Sequence, residues 1–412
     1  MKLSTYNLEV TNGSTVLVYN TRTGNYIRIP SNIYKDFRDL KFDGESSQTL
    51  QNLGFYISDA EDEFELLQKE CNKRLIESRI HKYRILTTTG CNAKCPYCYE
   101  KGVIHSNMTE ETAENIVQFI ITDIQPGEKL RIEWFGGEPL LNQKVIDYIS
   151  EHIINSIPND VDFASNMITN GYLITPLIVE KMKSNWRIKQ VQITLDGKDE
   201  IYEKIKGLGK GSFDKIICII KLLTDNDIKV DIRINFDSYN IDKIEDLLEY
   251  LSSSSFNDKI NVYPAKIFSN ATKRGYFDLE EETIKINKLL RKYGFRKGRQ
   301  LIPRSFHTSC MASYPHFYTI SPKGKIFKCD RQFLDKDSRA DVRNKPKSKD
   351  LIQFVKSNNT VAKKCTHCVL YPLCWGGCYY DRENNIYPCY LTKKIVLETL
   401  KMALEDMESK ES

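Results

Sequence analysis

Between residues 83 and 266, short β-branched and aromatic runs alternate with helical stretches, and this alternation leaves the chain few folds. The expected strands are 83–88, 130–134, 163–169, 190–195, 230–236 and 259–265. Helical periodicity fills the intervals at 109–122, 142–155, 175–184 and 212–226. Repeated strand–helix units give a parallel sheet, and right-handed crossovers curve it toward a barrel. Six units are too few for an eight-stranded barrel, so the expectation is an α/β partial (β/α)6 TIM-like barrel. Chemistry in such folds gathers at the C-terminal ends of the strands.

Three thiols follow the first of these strands, in Cys91-Asn92-Ala93-Lys94-Cys95-Pro96-Tyr97-Cys98. Gly90 and Pro96 mark a turn rather than a regular element. Cys thiolates hold iron–sulfur clusters, and a four-iron cluster takes four ligands, so three nearby thiols leave one iron open. The whole chain has 12 cysteines in 412 residues and no signal-peptide core at its start, which favours metal sites over a disulfide scaffold. The solitary Cys71 and Cys218 read as buried small hydrophobes. A 41% hydrophobic and 28% charged composition is that of a soluble globular chain. No apolar run reaches membrane-spanning length. The expectation is a cytoplasmic protein with no membrane partner. The net charge of +5 includes eight basic residues between 285 and 304, but no aromatic interleaving suggests nucleic acid.

Trp134-Phe135-Gly136-Gly137-Glu138-Pro139 follows the second strand, where two glycines let backbone approach a ligand closely. With the CX3CX2C loop one unit earlier, it resembles the radical S-adenosylmethionine (SAM) enzymes. That resemblance implies a [4Fe–4S] cluster on Cys91, Cys95 and Cys98 with SAM on the open iron. It implies cofactor contacts from Tyr97, Gly136, Gly137, Glu138 and Thr194. The family usually places an arginine on the cofactor carboxylate twelve residues after the Thr position. This chain has Lys206 there, which keeps the charge and loses the bidentate fork, and Arg233 on the fifth strand competes for the role.

The C-terminal thiols read Cys310, Cys329, then Cys365-X2-Cys368-X5-Cys374-X3-Cys378, then Cys389. By spacing alone, Cys365, Cys368, Cys374 and Cys378 also suit zinc. The full set resembles the SPASM extension of peptide-maturing radical SAM enzymes. The resemblance implies two auxiliary [4Fe–4S] clusters, three in all. One would be held by Cys365, Cys368, Cys374 and Cys389, the other by Cys310, Cys329 and Cys378. The second lacks a fourth Cys; His316, a substrate thiolate, or no protein ligand at all are the alternatives, and His316 also reads as an aromatic-rich core position. Asp330, beside Cys329, matches the residue that takes the substrate proton in sulfatase-maturing relatives, and reads equally as a structural acid.

The expected domains are an N-terminal α+β module over 1–80, winged-helix-like and able to bind a peptide leader, a radical SAM core over 81–285, a SPASM domain over 286–395, and a helical tail over 396–412. The resemblance implies an enzyme that cross-links a ribosomally made precursor peptide through a thioether or carbon–carbon bond. Flavodoxin or ferredoxin would be its electron donor. The alternatives are an anaerobic sulfatase-maturing enzyme that makes formylglycine and, from another class, a non-catalytic iron–sulfur or zinc protein.

Overall fold

In the computed structural model, residues 1–98, 100–237, 240–267, 279–303, 310–332, 338, 340–344, 361–383 and 389–409 are described. Within the expected SPASM stretch, residues 304–309, 333–337, 339, 345–360 and 384–388 lie outside this set. The chain divides into two compact units, one of residues 1–78, 275–313 and 356–412, the other of 79–274 and 314–355. Among the described residues, no helix is long and apolar enough to cross a membrane.

The first unit begins with β1 (Lys2–Leu3), β2 (Asn7–Asn12), β3 (Thr15–Asn20) and β4 (Tyr26–Pro30), followed by α1 (Tyr34–Arg38), α2 (Gly44–Asn52), β5 (Tyr56–Ile57) and α3 (Glu63–Ile76). Strands β2, β3 and β4 form an antiparallel sheet in that order. The run Val16-Leu17-Val18-Tyr19 makes β3 apolar on both sides, and both sides are buried. Val16 and Val18 join Ile29, Phe37, Phe55 and Tyr56 in one core. Leu17 and Tyr19 join Leu8, Leu301, Leu370, Val396, Leu400 and Leu404 in another. Asp62 is the N-cap of α3, its side chain accepting from the Phe64 and Glu65 N–H groups. Polar β2 was missed because its alternation is weak; pairing with β3 decides it.

The second unit carries the six expected strands: β6 (Ile80–Thr88), β7 (Lys129–Gly136), β8 (Asp162–Thr169), β9 (Ile188–Thr194), β10 (Lys229–Phe236) and β11 (Ile260–Lys266). They are parallel neighbours in sequence order. Between them run α4 (Glu110–Ile121), α5 (Gln143–Ser156), α6 (Pro176–Ser184), α7 (Asp199–Lys206), α8 (Ser212–Asp225) and α9 (Ile244–Ser252). Thr109 caps α4 through the Thr112 N–H, and Thr175 with Pro176 starts α6 in the same way. Alternate residues such as Leu130, Ile132 and Trp134 are buried, as a sheet covered by helices requires.

Beyond β11 both units continue. The first unit resumes with α10 (Glu280–Lys292), and the second with β12 (Phe317–Ile320), β13 (Lys325–Phe327) and β14 (Ala340–Asp341). β12 adds parallel to β6, so among the described residues the sheet has nine strands, the last two antiparallel. All four β12 residues are buried, and so short a run carries no readable period. The chain closes in the first unit with α11 (Tyr371–Cys374), α12 (Tyr379–Glu383) and α13 (Lys393–Glu408), where Arg291 of α10 pairs with Glu405 at 2.6 Å and Asp406 at 2.7 Å. Cys71 is buried as expected, but Cys218 is exposed on α8, which packs its other face inward.

Leu400 sits fully buried in the core shared by β2, β3 and α13. Leu400→Ala is expected to cost about 2–5 kcal/mol, read as a lowered urea midpoint.

Candidate active site

The first parallel strand runs directly into the cysteine loop. Thr88 ends β6, and its hydroxyl accepts the Gly90 N–H at 2.9 Å. The Gly137 N–H donates to the Thr88 carbonyl at 3.1 Å, and the Glu138 N–H to the Gly90 carbonyl at 2.9 Å. The end of β7 is thus bonded to the root of the loop. A Cβ on Gly136 would lie 2.1 Å from the Thr88 oxygen, and one on Gly137 2.3 Å from the Gly90 oxygen. Gly136 also holds a φ of +127°. The glycine pair is therefore required by backbone contact before any ligand is considered.

Within the loop, the Cys98 N–H turns back to the Cys95 carbonyl at 3.2 Å, and the Lys94 N–H donates to the Lys206 carbonyl at 2.7 Å. Asn170, just past β8, donates to Asn92 Oδ1 at 2.7 Å and reaches the Cys91 sulfur at 3.9 Å. Burial raises the thiols of Cys91 and Cys98, and the neighbouring Cys95 pushes both the same way. Thiolates this close repel one another, and a cationic cluster relieves that repulsion. The donor set fits a [4Fe–4S] cluster with three protein ligands.

The Glu138 carboxylate is wholly buried. The Thr169 hydroxyl lies 2.7 and 2.9 Å from its two oxygens, the Asn170 N–H donates at 2.8 Å, and the Leu140 N–H at 3.1 Å. Burial pushes its carboxyl up to about 7 against the pull of those donors. The side chain joins the ends of β7 and β8, and its oxygens are engaged within the protein instead of facing a cofactor.

A second buried group lies beside the loop. Lys206, at the end of α7, sets its ammonium 2.8 Å from Asp196 Oδ2 and 3.1 Å from the Tyr97 hydroxyl, which itself donates to Asp196. The Asn235 N–H donates to the other Asp196 oxygen at 3.2 Å. Burial, the largest single influence, disfavours the charged lysine, but Asp196 together with Tyr97, Cys95 and Tyr202 outweighs it and holds the ammonium well above the ordinary lysine value. Lys206 is thus engaged by protein groups, which the spacing argument did not foresee. Arg233 is half-buried, stands level with Thr194 on the adjacent strand, and donates through Nε to Asn235 Oδ1 at 2.9 Å.

Asp330 is held by Arg84 of β6, whose guanidinium lies 2.9 Å from Asp330 Oδ2 and also pairs with Glu133 of β7. The Arg84 guanidinium lies over the Phe135 and Phe317 rings. Glu100, two residues past Cys98, has both carboxylate oxygens buried without a hydrogen-bond partner among the described residues. Burial and the nearby Asp330 push Glu100 up to about 7. The cysteine loop and Asp330 therefore meet in one electrostatic neighbourhood. Asp196 was passed over because an Asp-Gly pair reads as a turn, and Glu100 carries no motif at all.

None of the twelve cysteines is paired in a disulfide. In the first unit, burial pushes the Cys374 thiol up to about 11, with Cys368, Cys365 and Cys389 adding to the rise. These four lie within electrostatic reach of one another. Trp375, Gly376 and Gly377 all hold positive φ, which turns the chain sharply between Cys374 and Cys378. Cys310 and Cys378 belong to the first unit, Cys329 to the second. The His316 ring lies tilted against the His81 ring and faces Asp123, neighbours that nothing in its sequence context announces.

Residues 85–251 match the model of the Radical SAM superfamily. The chain is similar to the radical SAM cyclopropyl synthase TigE of Paramaledivibacter caminithermalis, at 24% identity over 397 residues that take in 85% of this chain and 80% of the relative. It is also similar to the cysteine-type anaerobic sulfatase-maturating enzyme of Clostridium novyi, at 24% identity over 359 residues, 78% of this chain and 94% of that one. Among solved structures, its fold resembles anSMEcpe with bound AdoMet, with a TM-score of 0.62 and 20% identity over 80% of this chain and 97% of that one. It resembles Streptococcus suis SuiB bound to precursor peptide SuiA with a TM-score of 0.54 and 16% identity, over 96% of this chain and 99% of that one.

Removing one partner of the buried pair isolates its role. Asp196→Asn is expected to cost about 3–5 kcal/mol by leaving Lys206 unpaired, read by urea unfolding. Because the lysine value rises on folding, the pair's contribution is complete below about pH 10.4 and fades as pH climbs through the higher folded value. Alkaline titration of stability should show that loss in the native protein and not in Asp196→Asn.

The cysteine loop, the glycine pair and the buried acids around them all fall in or beside the matched segment: the chain carries a radical SAM domain, spanning residues 85–251.

Proposed function

We propose that the chain is a radical SAM enzyme that modifies a ribosomally made peptide, forming a thioether or carbon–carbon cross-link. Cys91, Cys95 and Cys98 hold the SAM-binding cluster, and Cys365, Cys368, Cys374 and Cys389 hold an auxiliary one. When bound and reduced by a flavodoxin or ferredoxin, that cofactor pair supplies a carbon radical able to take a hydrogen atom from the peptide. Arg233 binds the cofactor carboxylate, since Lys206 is occupied by Asp196 and, among the described residues, no carboxylate lies within ion-pair distance of Arg233. Thr194, level with it, contributes a hydroxyl to the same wall. Asp330, oriented by Arg84, accepts the proton released as the substrate is oxidised.

The observation that carries the peptide reading is a groove of about 750 Å³ in the first unit, between β4 and α2. Ile27, Ile29, Phe42, Leu50 and Leu53 line it, and β4 is an edge strand among the described residues. An open strand edge above an apolar groove suits an extended peptide, which adds a strand through its backbone and sets alternate side chains into the groove. SuiB, similar along nearly the whole chain, has been solved with a precursor peptide. A second reading, conversion of a sulfatase Cys or Ser to formylglycine, rests on Asp330 beside Cys329 and on the similarity to a sulfatase-maturating enzyme.

The two readings separate by mass spectrometry. Anaerobic reaction with SAM, a reductant and any short precursor peptide found encoded beside the gene is expected to remove two hydrogens per cross-link. Formation of an aldehyde on a sulfatase peptide, with no change in the encoded peptide, would reject cross-linking. Thr49, exposed on the groove wall, is the residue to alter. Thr49→Arg should weaken peptide binding about tenfold or more while SAM cleavage without peptide is unchanged. Cys95→Ala should abolish 5′-deoxyadenosine release and leave the auxiliary cluster's absorption in place.

A further inference from the structure

Away from the cysteine loop, at the opening end of β6, two histidines and two acids converge. His81 and Tyr83 project from the same face of β6, as residues two apart in a strand do. His81 is buried, and its Nε2 lies 2.9 Å from Glu128 Oε2. The Glu128 carboxylate is itself held by the Gln125 N–H at 2.8 Å. The other nitrogen, His81 Nδ1, faces Asp123 Oδ2 at 3.2 Å, and the Tyr83 hydroxyl donates to the same oxygen at 3.3 Å. His316 comes in from the strand beside β6, its carbonyl accepting the Lys82 N–H at 2.8 Å. Its ring lies 4.2 Å from the His81 ring, and its Nδ1 stands 3.7 Å from Asp123 Oδ2. That Nδ1 is buried and has no hydrogen-bond partner among the described residues.

Two carboxylates and two imidazoles converge here, and the imidazoles carry positive charge only when protonated. With Glu128 holding the proton on His81 Nε2, the lone pair on Nδ1 points at a carboxylate, and a second imidazole nitrogen beside them has nothing to bind. A cation among the three atoms resolves this. Among the described residues, His81, Asp123 and His316 form the one group of three such side chains whose ligand atoms all lie within 4.8 Å of one another. A tetrahedral ion with arms of about 2.1 Å sets its ligands about 3.4 Å apart, between the 3.2 and 3.7 Å seen here. Two imidazole nitrogens and one carboxylate oxygen suit zinc, leaving a fourth position for water, which the 38% exposure of His316 allows. Glu128 is then the outer carboxylate that fixes the tautomer and orientation of a metal-bound histidine. Asp123 follows the C-terminus of α4, where the helix dipole favours a cation.

We propose that His81, Asp123 and His316 bind one Zn²⁺ ion, oriented by Glu128, which fastens the start of β12 to the start of β6. The segment it fastens leads through β13 to Cys329 and Asp330, so the ion braces the strands that present the acid. Neither the cross-linking nor the formylglycine reading is needed for it.

The test uses the full chain, anaerobically reconstituted so that its thiols hold iron and sulfide, then given ZnCl₂ and desalted. About one zinc per chain should remain, with an X-ray absorption shell of nitrogen and oxygen near about 2.0 Å and no sulfur. His81→Gln and His316→Gln should each lower zinc affinity at least tenfold with iron content unchanged, and Glu128→Gln should lower it about 10–100-fold. No retained zinc in the native protein, or a shell containing sulfur, overturns the site without any variant. Zinc unchanged in both histidine variants also overturns it, as does loss of iron instead of zinc in His316→Gln, which would assign that ring to a cluster.

Discussion

The contact on which the site depends is one of backbone against backbone, where β7 ends against the residues that follow β6. Gly136 and Gly137 bring their α-carbons so near the Thr88 and Gly90 carbonyls that no side chain fits between them. The hydrogen bonds made there fix where Gly90 lies, and Cys91 is the next residue. Glu138 carries the same constraint onward to Thr169 and Asn170, and Asn170 returns to Asn92 in the loop. Three strand ends and the thiol loop thus form a closed circuit of short polar contacts. Moving any one of them strains the others, which is how a loop without regular structure acquires a set geometry.

Around that circuit the buried charges are arranged in pairs that neutralise each other locally. Lys206 and Asp196 satisfy one another beneath Tyr97, and Arg84 serves both Asp330 and Glu133. Charges buried this way stabilise little by themselves, and their pairing chiefly fixes which groups stand where. Glu100 departs from the pattern, a buried carboxylate beside the thiols with no hydrogen-bond partner among the described residues. Its burial favours the protonated form, which removes one repulsion from a site already crowded with anionic groups.

The six parallel strands were legible because each is an apolar run bounded by turn residues and separated by a helical period, a pattern set by local geometry. The thiol positions were legible because their chemistry shows at the level of residue type. What could not be read were properties of three-dimensional neighbourhood. β12 is four residues long and owes its existence to the open edge of β6. Lys206 stands at the spacing expected of a cofactor ligand, yet an aspartate ten residues earlier claims its charge once α7 folds back. His316 lies among aromatic residues in sequence and against His81, more than 200 residues distant, in space. A one-dimensional pattern records what a residue is and does not record which strand will lie beside it.

The two-sided burial of β3 has a consequence for how the protein is made. One face of that strand is covered by residues of the first 78, but the other is closed by α13, which lies far later in the sequence. A nascent chain therefore carries an apolar strand whose second face has no cover until α13 has been made. Contacts of such sequence separation are slow to form and leave sticky surface exposed meanwhile. The thiols at 365–389 are made only shortly before α13, so the unit that holds them closes as they emerge.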